Sequence, residues 1–433
     1  MPPGVLPCVR NPIGNEKGDV VQSQLMTDHI DRVNQWLRVL PPDARVFAIV
    51  YHGDCDGVVS GTLFDHILRR TMGKTDVFHI PVRTEQYDFA HVLAGLNNIR
   101  PDATIFLDLS VQNLPDILQQ AADITRHSLL IYDHHTQYND VFPAKALYLN
   151  PSVTPDGHDE NSPPPCYFAA QLAEKRTGIN YDWAAAVGLI AESAVDRFLP
   201  LFQTLSQKFP ALCPIGGIVS AADVQRSKFR EISYAVGSAY WATPGQFEPI
   251  AFRTLARMIE AGSPASFFDR GNEDSRTLME LEKLVRREIS RVSMQAMVEA
   301  YHATEVSLRY AEISSEYRIG GVVATRLSRK YRNDLIVIGQ NYHGRYVVEA
   351  RRGPRQTVNI ATLLRRATNE IDPLSVGGHP AAAGATLPEV ASSQFFLALE
   401  TTALEMGLEA PPPSPPSLPS PPSPPSPPSP PSP

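Results

Sequence analysis

From residue 21 to residue 135, short apolar runs rich in branched and aromatic side chains alternate with longer segments in which apolar residues recur every three or four positions. The first periodic segment, 21–42, stops at Pro41-Pro42. Val46-Phe47-Ala48-Ile49-Val50 then reads as a buried strand, and Val58, Val59, Leu63, Phe64, Ile67 and Leu68 mark one face of a helix. Further strands are predicted at 76–80, 103–109 and 128–132, with helices at 89–96 and 114–122 between them. Such alternation, with strands apolar almost throughout, predicts a parallel sheet covered on both faces. Right-handed crossovers place every carboxyl end of that sheet on one rim, where open α/β sheets hold their ligands.

After a loop at 151–165 rich in Pro, Asp, Ser and Asn, helical periodicity runs from 200 to 304 and includes one long helix over 273–303. Strand patterns return at 306–313, 335–338 and 346–350, with helices at 320–331 and 358–368. In 376–385, Gly377 and Gly378 let a backbone approach a phosphate closely, and the alanines after His379-Pro380 read as a tightly packed helix start. Residues 411–433 contain only Pro, Ser and Leu418. That composition favours an extended polyproline segment, a candidate ligand for a polyproline-binding partner. The expected organisation is an amino-terminal arm and helix (1–44), an α/β metal domain (45–200), a helical connector (201–304), a smaller α/β substrate-binding domain (305–408) and the Pro/Ser tail (409–433).

Chemistry gathers where the predicted strands end. His52, Asp54 and Asp56 alternate along the carboxyl end of the first, Asp108 ends the third, and Asp133, His134 and His135 end the fourth. Imidazole with carboxylates suits Mn²⁺, Zn²⁺ or Fe²⁺ better than Ca²⁺. Three strand ends each delivering Asp or His to one rim exceed what a solvated loop requires. A carboxylate such as Asp108 can bridge two ions in the arrangement that supports phosphoryl displacement by water.

The 39 basic and 46 acidic residues leave −7 overall, so bulk charge does not select a nucleic-acid partner. Residues 318–366, however, hold eleven Arg and Lys against Asp334 and Glu349, a local +9. A basic lobe opposite an acidic metal lobe is the polarity of an enzyme that grips a polyanion. It predicts a groove tracking several phosphates, with Tyr331, Tyr342 and Tyr346 as candidates for base stacking. The four cysteines are dispersed and form no C-x-x-C, which points to a reducing compartment. No signal-peptide pattern opens the chain and no run approaches a membrane span, so a soluble cytoplasmic protein is expected.

The H-x-D-x-D-G run at His52, the strand-end Asp108 and Asp133-His134-His135 resemble the first three signatures of the DHH phosphoesterase superfamily. Its members include RecJ-type single-strand exonucleases, oligoribonucleases, nucleotide bisphosphate phosphatases and cyclic-dinucleotide phosphodiesterases. By that resemblance His52, Asp54 and Asp108 hold one manganese ion, and Asp56, Asp108 and His134 hold the second. Asp108, Asp133, His134 and His135 form the catalytic set, with His135 orienting a ligand or contacting phosphate. The fourth signature usually ends in Asp. Here Glu192 follows Gly188-Leu189-Ile190-Ala191 and would reach the second metal with one extra methylene, while Asp196, read as four residues on along the same helix face, is the reserve. Residues 377–385 resemble the G-G-H-x-x-A-A-G-A signature of the DHH-associated C-terminal domain, which grips nucleic acid or nucleotide opposite the metals. Gly377, Gly378, His379 and Arg351 are the expected substrate-binding residues, although Glu349 and Arg352 replace the serines of the family's S-x-R-S-like run.

The resemblance implies a two-ion, manganese-dependent phosphodiesterase that hydrolyses single-stranded nucleic acid or short oligonucleotides exonucleolytically. Two alternatives stay open. One is a phosphoesterase for a cyclic dinucleotide or nucleoside bisphosphate; the other is a non-catalytic nucleic-acid-binding relative, which the Glu192 departure favours. The +9 segment argues for polynucleotide, whereas the short sequence after Gly384, without room for the accessory barrel of large RecJ-type exonucleases, argues for short substrates.

Overall fold

A computed structural model describes residues 16–407 apart from 84–88, 155–156, 160–161, 244, 300, 303–306 and 372. The Pro/Ser tail, and with it the expected polyproline partner, lies outside the described residues. The first lobe opens with α1 (Glu16–Val39), β1 (Val46–His52), α2 (Cys55–Thr71), β2 (Asp76–Val82), α3 (Ala90–Ile99), β3 (Ala103–Leu107), α4 (Pro115–Ile124), β4 (Ser128–Tyr132) and β5 (Ala146–Leu149). These five strands form one sheet in the order β2-β1-β3-β4-β5, parallel throughout. Because β2 and β3 flank β1 on opposite sides, the chain order reverses there, and a crevice opens beyond the carboxyl ends of β1 and β3. Alternate residues of β1 bury opposite faces: Phe47, Ile49 and Tyr51 join Val59 and Leu63 of α2, while Ala48 and Val50 join Val92 and Leu96 of α3 and Leu118 of α4.

A two-strand ribbon of β6 (Val153–Thr154) and β7 (Gly157–His158) precedes α5 (Pro165–Thr177), α6 (Asp182–Ala191), α7 (Leu199–Lys208), α8 (Ala221–Val224), α9 (Lys228–Trp241), α10 (Glu248–Glu260) and α11 (Glu273–Glu299). The helices of the expected connector do more than separate lobes. Phe229, Ile232 and Val236 of α9 and Leu255 and Met258 of α10 share the buried cluster of β1 and α2. No helix among the described residues is long and apolar enough to cross a membrane.

The second lobe contains β8 (Tyr301–His302), β9 (Leu308–Ile313), α12 (Gly320–Lys330), β10 (Leu335–Tyr342), β11 (Arg345–Arg352), α13 (Ile360–Ala367), β12 (Ser375–His379), β13 (Ala382–Pro388) and α14 (Ser392–Glu405). Its sheet runs β12-β13-β11-β10-β9-β8. One face is covered by α13 and α14, the other by α12 and the stripe Leu281, Val285, Ile289, Val292 and Ala296 of α11. Since Leu278 of the same helix lies in the first lobe's core, α11 ties the lobes together. The alanines after His379 do not start a helix. They form β13, paired antiparallel with β11 and β12, and Ala383 and Ala385 are buried in the core.

Candidate metal centre and inter-lobe cleft

His52 ends β1, and Asp54 is the N-cap of α2. The three expected ligands therefore do not alternate along an extended strand: the chain turns sharply, and Asp56 lies in the first turn of the helix. Gly57 permits the turn, because a Cβ there would lie 2.1 Å from the carbonyl oxygen of His52. Asp54 divides its carboxylate. Oδ1 accepts from the Gly57 N–H at 3.0 Å and caps the helix, while Oδ2 faces Nδ1 of His52 at 2.9 Å.

Across the crevice Asp108 follows β3 with a left-handed backbone, φ 61, which is uncommon for a residue with a side chain. Its Oδ2 lies 3.8 Å from His52 Nδ1, and its Oδ1 lies 3.4 Å from His134 Nε2 and 3.8 Å from His135 Nδ1. The two oxygens thus face two groups of candidate ligands. His52, Asp54 and Asp108 bring ligand atoms within 4.8 Å of one another, and so do Asp56, His134 and Glu192.

Asp56 supplies the test of whether cations fit. It is fully buried; Oδ1 accepts from the Cys166 N–H at 2.6 Å, while Oδ2 has no hydrogen-bond partner among the described residues. A buried carboxylate oxygen without a donor, beside a second carboxylate, is costly unless a cation neutralises it. Burial, followed by the nearness of Asp108 and Glu192, pushes Asp56 well above the usual carboxylate range. Burial and then Asp54 push Glu192 up to about 7. Asp108 goes the other way. Burial would raise it, but the nearness of His134 and His52 and the charge of His135 hold it well below that range. Divalent ions relieve such repulsion, and this oxygen-and-imidazole donor set suits them.

Glu192 sits at the carboxyl end of α6, and Asp196 does not share its helix face. Ser193 is left-handed at φ 55, its N–H bonds the Ile190 carbonyl, and the Ala194 N–H reaches back to the Leu189 carbonyl, closing the helix. Asp196 lies beyond that stop and is exposed. Asp133 is engaged on both oxygens: Oδ1 accepts from the His134 N–H, the His135 N–H and His135 Nδ1 at 2.8, 3.2 and 2.7 Å, and Oδ2 from the Ser110 N–H at 2.7 Å. It therefore orients His135. Burial pulls that imidazole down, but the charge and hydrogen bond of Asp133 overcome it and carry His135 up to about 9.

The second lobe reaches this rim through β12. The His379 ring stacks on His135, 5.0 Å between centroids and 18° between planes, and meets His134 edge-on at 5.2 Å. Gly377 and Gly378 belong to the same strand. Arg351 donates to Glu349 Oε2 at 3.2 Å, and Glu349 Oε1 accepts from Arg318 Nη2 at 2.8 Å. Buried Arg318 also donates through Nη1 to Tyr240 Oη at 2.7 Å, and that hydroxyl lies 3.1 Å from His52 Nε2. Sequence reasoning missed Tyr240 and the fully buried Arg83–Glu248 pair, 2.8 Å, whose guanidinium lies 5.1 Å from the Tyr240 ring centre. No spacing ties them to the rim motifs; Arg318 was visible as part of the basic run.

Several members of that run are engaged within the second lobe and against α11. Arg326 and Lys330 lean on α11 at Ser290 and Met297, Arg366 pairs with Glu405 of α14, and Arg318 and Arg351 share Glu349. Tyr342 and Tyr346 are buried, their hydroxyls donating to the Ala242 carbonyl and to Glu312, so neither is a stacking platform.

Residues 305–405 match the DHHA1 domain family. No curated protein matches the sequence. Among solved structures, exonuclease RecJ bound to manganese is 18% identical with a TM-score of 0.55, over 87% of this chain and 94% of that one. RecJ of Thermus thermophilus in complex with Mn²⁺ is 19% identical with a TM-score of 0.57, over 89% of this chain and 55% of that one, so this chain spans about half its length. The DHH domain of a member of a ribosomal-protein family is 14% identical with a TM-score of 0.63, over 90% of this chain and 93% of that one. At such identities the likeness is one of fold, and it extends across both lobes. The chain thus has the fold of RecJ and of a DHH domain, and its residues 305–405 match the DHHA1 domain family.

Proposed function

We propose that this protein is a divalent-metal-dependent phosphoesterase, with manganese as the working ion, that hydrolyses single-stranded nucleic acid as short oligonucleotides from one end. The Asp108 carboxylate carries the reading: at the β1/β3 crevice its oxygens face two ligand sets, one of which contains a buried carboxylate oxygen without a donor among the described residues. We assign His52, Asp54 and Asp108 to one ion and Asp56, Asp108, His134 and Glu192 to the other. Ions so held would supply activation of water and charge stabilisation at phosphorus.

The protein's own share is positioning. Asp133 keeps His135 as a charged donor, and the stack with His379 sets two imidazoles side by side at the mouth of the site. These imidazoles, Arg351 and the Gly377–Gly378 backbone are the groups we assign to the substrate's phosphates. That one similar structure is an exonuclease bound to manganese supports the choice of reaction and ion.

A small-nucleotide phosphoesterase is the second reading. It is favoured by Glu349, whose single negative charge is shared by Arg318 and Arg351 and offsets one of their two positive charges, and by the placement of other basic side chains against α11 and α14. The deciding experiment is hydrolysis in Mn²⁺ of end-labelled oligonucleotides of graded length beside a cyclic dinucleotide and a nucleoside bisphosphate. Stepwise release of mononucleotides supports the proposal, turnover confined to the small nucleotides supports the second reading, and no turnover of any of them overturns both.

A further inference from the structure

We infer that Tyr240 and Arg318 are positioning residues for the metal ligand His52, and that through them ion binding in the first lobe is coupled to docking of the second. The inference rests on the two-ion reading above. His52 presents Nδ1 to the carboxylates of Asp54 and Asp108, at 2.9 and 3.8 Å, and turns Nε2 to Tyr240 Oη at 3.1 Å. An imidazole that ligates an ion offers a lone pair on one nitrogen and carries its proton on the other. With Nδ1 on the ion side, Nε2–H must donate, and the group facing it must accept.

Arg318 prepares Tyr240 for that role. A guanidinium has no acceptor, so at 2.7 Å Arg318 Nη1 donates to the tyrosine oxygen, and the tyrosine cannot donate in return. The same hydroxyl oxygen, 3.1 Å from His52 Nε2, is placed to accept from it as well. The ring is placed by packing against the metal loop: a Cβ on Gly53 would come within 3.3 Å of Tyr240 Cδ2.

Arg318 comes from the other lobe, just ahead of α12, and its position there is over-determined. Its Nη2 pairs with Glu349 of β11 at 2.8 Å, and its backbone N–H donates to the Trp241 carbonyl at 2.7 Å. Tyr342 of β10 donates to the Ala242 carbonyl at 3.0 Å. The last carbonyls of a helix such as α9 find no donors within the helix itself, so donors of the second lobe satisfy them where the helix dipole also favours a cation. Residues 240–242 are therefore both the seam between the lobes and the support of a metal ligand. Coupling of this kind is reciprocal: what loosens the seam weakens the ion, and the ion tightens the seam.

The test measures Mn²⁺ binding by calorimetry on the full chain, beside steady-state hydrolysis of a short oligonucleotide at limiting and at excess Mn²⁺. Tyr240→Phe keeps the ring and its packing, and Arg318→Lys keeps the charge. Tyr240→Phe is expected to weaken one of the two ions by about 10–100-fold. Arg318→Lys should weaken the same ion, and the double variant should be no worse than Tyr240→Phe alone, because both act through one hydrogen bond. Lost kcat should return at excess Mn²⁺ with little change in KM, which a general loss of structure would not allow. Unmoved Mn²⁺ affinity in both variants, or losses that simply add in the double variant, would overturn this inference while leaving the two-ion reading intact. Wild-type protein that binds no divalent ion would instead overturn that reading, and this inference with it.

Discussion

Asp108 combines a buried carboxylate with a left-handed backbone, and that pairing decides which substitution is informative. Asn tolerates this backbone and copies the shape, whereas Ala adds about 1 kcal/mol of strain. Asp108→Asn should therefore fold normally and lose hydrolysis by more than about 100-fold, a loss larger than supporting residues usually cause. Initial rates at saturating Mn²⁺, with a thermal melt as control, check it, and turnover near the wild-type rate would end the two-ion reading. His29 on α1 offers a test away from the metals. It is buried edge-on against Tyr132, 6.0 Å between ring centres, and burial, with Arg32 second, lowers it to about 4. Above its ordinary value of 6.5 both folded and unfolded chains carry it neutral, and its contribution to stability is complete. As the pH falls from 6.5 towards 4, the unfolded chain takes up a proton that the folded one refuses, so stability is lost, by up to about 3 kcal/mol. His29→Phe should flatten that part of the curve, measured by urea unfolding at each pH against wild type.

At the scale of elements, strands with dense apolar runs were legible and the β12–β13 hairpin was not. Glycines and alanines carry no hydrophobic period, and what makes residues 382–388 a strand is the antiparallel pairing of β13 with β11 and β12, a contact between distant segments. The short edge strand β5, with one of its four residues buried, escaped for a related reason. Within the hairpin Gly378 adopts φ 131, and a Cβ there would fall 2.6 Å from the Ala382 carbonyl oxygen. Gly378→Ala should cost about 1–3 kcal/mol. It should also lower kcat/KM further than an equally destabilising change elsewhere in the lobe, because His379 follows directly. Denaturant midpoints paired with steady-state kinetics separate the two effects; kinetics that track stability alone would remove the hairpin from the substrate site.

For the molecule as a whole, the distribution of charge sets the length of substrate it can hold. Arg318 lies beside the amino end of α12, but Arg326 and Lys330 are about 9 and 15 Å further along that helix, against α11. Those two cations are thus committed away from the cleft, as is Arg366 beside Glu405, whereas Arg365 lies over the Tyr138 ring of the first lobe. Binding of 3-, 6- and 12-nucleotide single strands by Asp108→Asn protein should stop tightening at about three nucleotides, with a salt slope shallower than about −1.5 at roughly −0.7 per neutralised phosphate. Fluorescence anisotropy at several salt concentrations checks this, and affinity that climbs steadily to the longest strand on a steeper slope would restore the extended groove that the +9 run suggested.

That His379 of the second lobe stands opposite the rim was implied only by the family resemblance; the sequence pattern by itself determined the parallel sheet and the rim on which His52, Asp54, Asp56, Asp108, His134 and His135 meet. Those follow from local periodicity and from the fixed hand of crossovers, which act within short stretches of chain. Tertiary structure alone decided the rest. It closed α6 after Ala191, so that Glu192 and not Asp196 meets Asp56 and His134. It engaged both oxygens of Asp133 and turned Arg326, Lys330 and Arg366 away from the cleft. It also set Tyr240, 188 residues from His52 in the chain, against the imidazole, with Arg318 of the other lobe behind it. Whether a polar atom is buried, and which donor reaches it, depends on segments that meet only after the lobes have packed, and no spacing along the chain records that meeting.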